Sequence, residues 1–357
     1  MNNRVDRLVA ALQARDLPGM LVTAPENRRY LSGFTGSAGA LIITPQAAKL
    51  ATDFRYYEQV REQAPAFELV QVPQQMPRVL AQELAALGLK RVAFESQDLT
   101  VETYDMWSQA MDGIELVPTS MIVEELRAVK EPDELAAIER AVAVSDAAIT
   151  YMMDTIRPGM TERQVSWELE VHMRTHGAEA LAFATIAAAG PRSAMSHAVP
   201  TDRPIQAGEP MVIDMGARVD GYLSDITRSF CVGHASDQYL EVWDLVLQAQ
   251  LAGERGIHAG MTGIEADALA RSLIYGAGYE GKFGHGLGHG VGLAIHEDPR
   301  ASFTSTTPLP EGMVLTVEPG IYLPGWGGIR IEDMIVVGAT ESHVLTQAPK
   351  MPVVPGK

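Results

Sequence analysis

Short apolar runs alternate with helically spaced apolar positions along the first 125 residues. An amphipathic helical pattern spans 5–12, and strand-like runs follow at 19–22, 40–43, 69–72, 92–94 and 114–117, with helix-like stretches such as 79–87 between them. That succession predicts an α/β domain over residues 1–125. Its Gly-rich stretch at 31–39 fits neither a phosphate-binding loop nor a nucleophile elbow, so this part offers no catalytic constellation of its own.

A boundary is expected near 126–134, where Pro132 suits a first helical position and Asp133 and Glu134 favour the positive end of the helix dipole. Leu135, Ile138, Val142 and Ile149 recur at helical spacing, so a long helix is predicted to run to about Ile156, before Pro158 and Gly159 stop it. Residues 126–357 form the second domain, and it contains a diverged repeat. Gly159-Met160-Thr161 returns as Gly260-Met261-Thr262, an offset of 101, and Thr161 with Gln164 and Thr262 with Glu265 each make a capping box. The two helices close near Gly177 and Gly278, and a histidine-containing segment and a strand hairpin follow each. Duplication of this kind predicts two hairpins side by side around a pseudo-twofold axis.

The first hairpin, over 210–230, carries Asp214 and Asp225 on arms either side of an Asp220-Gly221 turn, so the two acids are expected to face each other. In the second, over 312–337, Glu318 and Glu332 are placed symmetrically about Gly325 and are likewise expected to be opposed. These acids interrupt apolar strands, where like charges repel and are costly to desolvate. Arg330 shares a strand face with Glu332 and could neutralise one acid. One arginine does not neutralise four carboxylates, which favours a divalent-metal site over plain ion pairing.

Histidines come from the Gly-rich stretch 284–299, which holds His285, His289 and His296; alternate glycines let imidazoles approach a crowded centre, and no dinucleotide-binding register fits. His197, 17 residues before Asp214, reads as structural when taken alone. The single Cys231 excludes an internal disulfide and a thiolate cluster. Four carboxylates with one or two imidazoles suit a pair of Mn²⁺, Co²⁺ or Zn²⁺ ions holding a shared hydroxide, which is hydrolytic chemistry.

Composition narrows the class further. A formal charge of -17 repels phosphate backbones, so no nucleic-acid partner is expected. Charges interrupt the first 20 residues and no later run approaches the ~18 apolar residues of a membrane span, so a cytoplasmic protein without membrane contact is predicted.

On these residues the sequence resembles the Xaa-Pro peptidases, the prolidase and aminopeptidase P group of the creatinase/methionine-aminopeptidase superfamily. The order Asp214, Asp225, His289, Glu318, Glu332 matches that family's five-ligand pattern, within segments beginning at Asp214, Gly288, His296, Val317 and Arg330. The likeness spans roughly 126–357, and the N-terminal part resembles the smaller α/β domain of the same enzymes. The resemblance implies an α+β "pita-bread" catalytic domain with internal pseudo-twofold duplication behind the α/β domain. It implies two divalent ions, with Asp225 and Glu332 bridging both, His289 and Glu318 completing one sphere, and Asp214 the other. Glu318 would handle the proton of the attacking hydroxide. His197 and His296 match histidines that contact the scissile carbonyl, His285 one near the substrate, and Arg330 an arginine that orients carboxylates.

Substrates implied are peptides with proline at the second position, either dipeptides or longer chains. A dipeptidase needs a cation to grip the proline carboxylate; Arg300 is a candidate, against its plainer reading as a solvated surface arginine. A homodimer is implied by resemblance alone. The alternative is a metal-free peptide-binding relative, which the complete ligand set disfavours.

Overall fold

In the computed structural model, which describes residues 3–356, the chain divides between Arg127 and Ala128 into two units. The first is built on a mixed six-stranded sheet: β1 (Met20–Val22), β2 (Ala40–Ile43), β3 (Ala48–Thr52), β4 (Glu68–Gln71), β5 (Arg91–Glu95) and β6 (Glu115–Thr119), in the order β4-β3-β2-β1-β5-β6. Leu21, Ile42, Leu50, Val70, Val92 and Phe94 on it are buried. Strand β3 escapes a hydrophobicity reading because Leu50 is its one large apolar residue. The Gly-rich stretch after helix α1 (Pro25–Ser32) is held by buried Arg28, whose guanidinium donates to the carbonyls of Thr23, Gly36 and Gly39.

The second unit is organised by the duplication. Helix α2 (Pro132–Thr155) begins at its proline, where the Glu134 side chain accepts from the Glu131 N–H at 2.9 Å. It pairs with α3 (Glu162–Thr175), as α4 (Asp237–Gly256) pairs with α5 (Gly263–Gly276). The predicted capping boxes at Thr161 and Thr262 are both formed. Both ends of α5 lie 101 residues after those of α3, and α4 ends 101 residues after α2.

Each helix pair backs one sheet. Behind α2 and α3 are β8 (Ile186–Ala189), β9 (Pro210–Met215), β12 (Ile226–Val232) and β20 (Val353–Val354); two residues of β7 (Ala180–Leu181) join β10 (Ala217–Val219) and β11 (Tyr222–Leu223) in a small separate sheet. Behind α4 and α5 are β13 (Gly288–Gly290), β14 (Glu297–Ala301), β15 (Val314–Val317), β18 (Asp333–Val336) and β19 (His343–Val344), while β16 (Gly320–Leu323) pairs with β17 (Gly327–Arg330). Two apolar cores result, one around Ile149, Leu169, Ile213 and Phe230, the other around Val246, Ile274, Leu315 and Ile335. Among the described residues no helix is long and apolar enough to cross a membrane.

Register decides which acids meet. In the second hairpin Val317 pairs with Asp333 and Gly320 with Arg330, so Glu318 and Glu332 fall opposite each other about Gly325, as expected. The first hairpin corrects the expectation. Asp220 and Gly221 both have positive φ, 48° and 79°, the two-residue turn that matches strand twist, and Val219 therefore pairs with Tyr222. Continued along the ladder, that register sets Asp214 opposite Thr227, not Asp225. Asp225, two residues before Thr227, is a diagonal neighbour on the same face. An isolated bridge between Thr227 and Glu332 joins the hairpins side by side.

Candidate metal centre

His289 sits on β13, a three-residue strand between β14 and β15. Gly288 permits this closeness, since a Cβ there would lie 1.8 Å from the Thr316 carbonyl oxygen. The His289 backbone N–H donates to Thr316 Oγ1 at 3.0 Å, and its Nδ1 to the Gly290 carbonyl at 3.0 Å. A carbonyl only accepts, so the proton is on Nδ1 and the Nε2 lone pair is free. That atom lies 3.4 Å from Glu318 Oε1 and 3.7 Å from Asp225 Oδ2. Burial pushes the imidazole down to about 3, which keeps it neutral at pH 7. One ligand atom each from Asp225, His289 and Glu332 lies within 4.8 Å of the others.

The surrounding carboxylates are unfavourably placed as bare anions. Burial raises Asp225 well above the ordinary range, reinforced by Glu332, Asp214 and Glu318; burial and the other acids do the same to Glu332. Glu318 is pushed up to about 7, chiefly by burial. Asp214 is raised by burial despite its ion pair with Arg330 Nη2. Arg330 Nε donates to Thr227 Oγ1 at 3.0 Å, and that hydroxyl donates to Glu332 Oε2 at 2.6 Å, so one arginine orients two acids. Asp214 Oδ1 is buried with no hydrogen-bond partner among the described residues. An acceptor without a donor, repelling carboxylates and a neutral imidazole with a free lone pair fit a divalent cation.

The nine residues given metal-binding or catalytic roles from the sequence line one cavity of about 590 Å³, with Phe183, Ile186, Val199 and Ile295 among its apolar walls. His296 and His197 are on its exposed rim, and the His296 ring meets His289 edge-on at 4.4 Å. His285 is engaged within the protein: Nδ1 donates to the Gly286 carbonyl at 2.8 Å, and Nε2 accepts from Tyr322 Oη at 3.0 Å. Tyr322 in turn accepts from Arg330 Nη1 at 3.0 Å. Arg300 lines the cavity yet is half exposed and paired with Asp298 at 3.4 Å.

Residues 136–339 match the metallopeptidase family M24, and residues 4–129 the creatinase/prolidase N-terminal domain. This chain belongs to metallopeptidase family M24. An Xaa-Pro dipeptidase of Pyrococcus horikoshii is 35% identical over 349 residues, 97% of each chain. Among solved structures, the Xaa-Pro dipeptidase of Bacillus anthracis superposes with a TM-score of 0.96 at 43% identity, covering 98% of both chains. The X-Pro aminopeptidase of Thermotoga maritima gives 0.91 at 37% identity, covering 99% of this chain and all of that one.

Within this family M24 centre, sequence reasoning passed over three residues. Thr227 links Arg330 to Glu332, Tyr322 links Arg330 to His285, and Thr316 Oγ1 serves both His289 and, at 3.3 Å, Glu318. Thr227 was within reach of a correct register, because the Asp220-Gly221 turn places it opposite Asp214. Cys231 is buried on β12 and burial pushes its thiol up to about 12, which leaves it inert as a nucleophile.

Proposed function

We propose that this chain hydrolyses the peptide bond between an N-terminal residue and a following proline, using two divalent ions of the Mn²⁺, Zn²⁺ or Co²⁺ class. The observation that carries the reading is the convergence of Asp225, His289 and Glu332 in a cavity that also holds Asp214 and Glu318. Asp214, Asp225, His289, Glu318 and Glu332 would hold the ions. Relatives whose names give them Xaa-Pro substrates, matched along nearly the whole chain, support the substrate class. When bound, such ions supply Lewis acidity and a water acidic enough to attack at neutral pH.

The chain's own residues divide the remaining work. The peptide's free amine binds near Asp214, and Glu318 takes the proton from the attacking water and returns it to the proline nitrogen as the C–N bond breaks. His296 and His197, at the open rim, donate to the scissile carbonyl oxygen as negative charge develops there. Arg330 keeps Asp214 and, through Thr227, Glu332 in orientation, while His285 holds Tyr322 against that guanidinium. Apolar walls exclude water and suit a proline ring.

With this goes a division into an N-terminal domain of residues 1–125 and a catalytic domain of 126–357, a homodimeric assembly, and a cytoplasmic location. The metal-free peptide-binding alternative is disfavoured by four buried acids against the single buried cation Arg330, which leaves Asp225 and Glu332 raised well above the ordinary range.

The test is hydrolysis of Ala-Pro and Ala-Pro-Ala by metal-stripped protein reloaded with Mn²⁺, Zn²⁺ or Co²⁺. Activity should return with metal and be lost in Asp225→Asn and His289→Ala. Equal turnover by wild type and either variant after the same reloading would sink the assignment. Turnover of Ala-Pro alone marks a dipeptidase, and turnover of Ala-Pro-Ala an aminopeptidase.

A further inference from the structure

Behind the ligand-bearing ends of the hairpins lies a group of charged side chains that does not line the cavity: Arg228, Glu254, Asp333 and Lys350. Arg228, with a side chain only 2% exposed, uses all five of its N–H donors. Nη1 donates to the carbonyls of Thr227 at 3.0 Å and Glu332 at 2.6 Å. Nη2 donates to Asp333 Oδ1 at 2.7 Å and the Ala348 carbonyl at 2.8 Å, and Nε to the Pro349 carbonyl at 3.1 Å. One guanidinium thus grips the two residues at which the hairpins touch, and ties both to the segment at 348–349.

The guanidinium is itself fixed from behind. The second oxygen of Asp333 receives Lys350 Nζ at 2.5 Å and Gln250 Nε2 at 3.2 Å, and Lys350 also reaches Glu254 Oε1 at 3.0 Å. Without the Lys350 ammonium, the second oxygen of the buried Asp333 would keep Gln250 alone beside the Glu254 carboxyl, and the carboxylate would be free to turn about its contact with Arg228. Glu332 would then be held to Thr227 only by its own N–H, 3.1 Å from the Thr227 carbonyl, and by the Thr227 hydroxyl on its carboxylate, without the guanidinium that spans both carbonyls. Ligand distances in a metal site lie within about 0.2 Å of their standard values, so a shift of Glu332 is felt at the ion.

We infer that Lys350 is a positioning residue for the metal centre, acting through Asp333 and Arg228 to fix Glu332 against the first hairpin. The inference rests on the ligand set of the proposed function and adds a residue remote from the cavity.

The experiment titrates metal-stripped wild type, Lys350→Met and Lys350→Arg with Co²⁺, following bound metal and the visible absorption of the ion, and then measures kcat and KM on Ala-Pro. Lys350→Met should bind the weaker ion about 10-fold less tightly, the low end of the range for direct partners of metal ligands, since Lys350 acts through Asp333 and Arg228. Its absorption should shift, and kcat at limiting metal should fall with KM unchanged. Lys350→Arg, which keeps the charge, should restore all three. Wild-type Co²⁺ affinity and spectrum in Lys350→Met, or a loss that arginine does not repair, overturns the inference. If Lys350→Met fails to fold, the near-isosteric Asp333→Asn carries the same expectation, and wild-type Co²⁺ binding there overturns it equally. Because Co²⁺ binding is read without peptide, a wild type that binds two ions but cleaves neither Ala-Pro nor Ala-Pro-Ala defeats the proposed function and leaves the Lys350 result to be judged on binding.

Discussion

His289 reaches the cluster with its tautomer already chosen, because the Gly290 carbonyl takes the Nδ1 proton and leaves Nε2 for a cation. The acids around it are in the opposite condition. Asp225 is buried against Glu332, Asp214 and Glu318, all of which disfavour its charge, so its ionised form costs stability until a cation arrives. Asp225→Asn should therefore raise the thermal midpoint of the metal-stripped protein at pH 7 by a few degrees, while abolishing the further rise that Mn²⁺ gives the wild type. Differential scanning with and without metal reads both effects, and a lower midpoint for stripped Asp225→Asn would contradict the account. At this scale the sequence was most informative. Acids that interrupt apolar strands and histidines between glycines are visible in a single chain. Tyr322 and Thr316 are not, because their bonds to His285 and His289 join residues far apart in sequence, and Thr227 is found only once the turn residues have set the register.

Among elements, the two hairpins separate what spacing reveals from what it misses. Equal distances from Gly325 brought Glu318 and Glu332 into opposition, because that turn is centred where the symmetry of the acids places it. In the first hairpin the turn chemistry overrides the symmetry of the acids: positive φ at Asp220 and Gly221 centres the loop between them, and Asp214 meets Thr227 instead. Turn residues set register, and carboxylates follow. Gly221→Ala should cost about 1–2 kcal/mol, the penalty of a left-handed conformation for a residue with a Cβ, measurable as a lower urea midpoint. No loss of stability would mean that the turn does not set this register. The capping boxes were legible because a Thr with Gln or Glu three residues on satisfies helix donors locally. Strand β3 was not, since its burial comes from neighbours rather than from its own composition.

For the whole molecule, the division into an α/β part and a duplicated part followed from periodicity and the 101-residue offset, whereas the charged cluster behind the hairpins had no sequence signal. Glu254, with Asp333 and Lys350, gives that cluster a pH signature. Burial and the nearby Asp333 push Glu254 up to about 7, so the folded chain keeps a proton that the unfolded chain releases near 4.5. Its contribution to stability is complete below about 4.5 and is lost as the pH rises through about 7. Glu254→Gln should flatten that part of the profile, with its stability relative to wild type increasing between pH 5 and 8 in urea titrations. A constant difference across that range would exclude Glu254 as the source.

The seam between the duplicated halves has a consequence of its own. One half brings Asp214 and Asp225, and the other His289, Glu318 and Glu332, and the group of Asp225, His289 and Glu332 draws on both. A bound pair of cations would work as a clasp over a seam that Thr227, Arg228 and Arg330 already hold, so the two halves, produced as separate polypeptides, should bind each other more tightly with metal than without it.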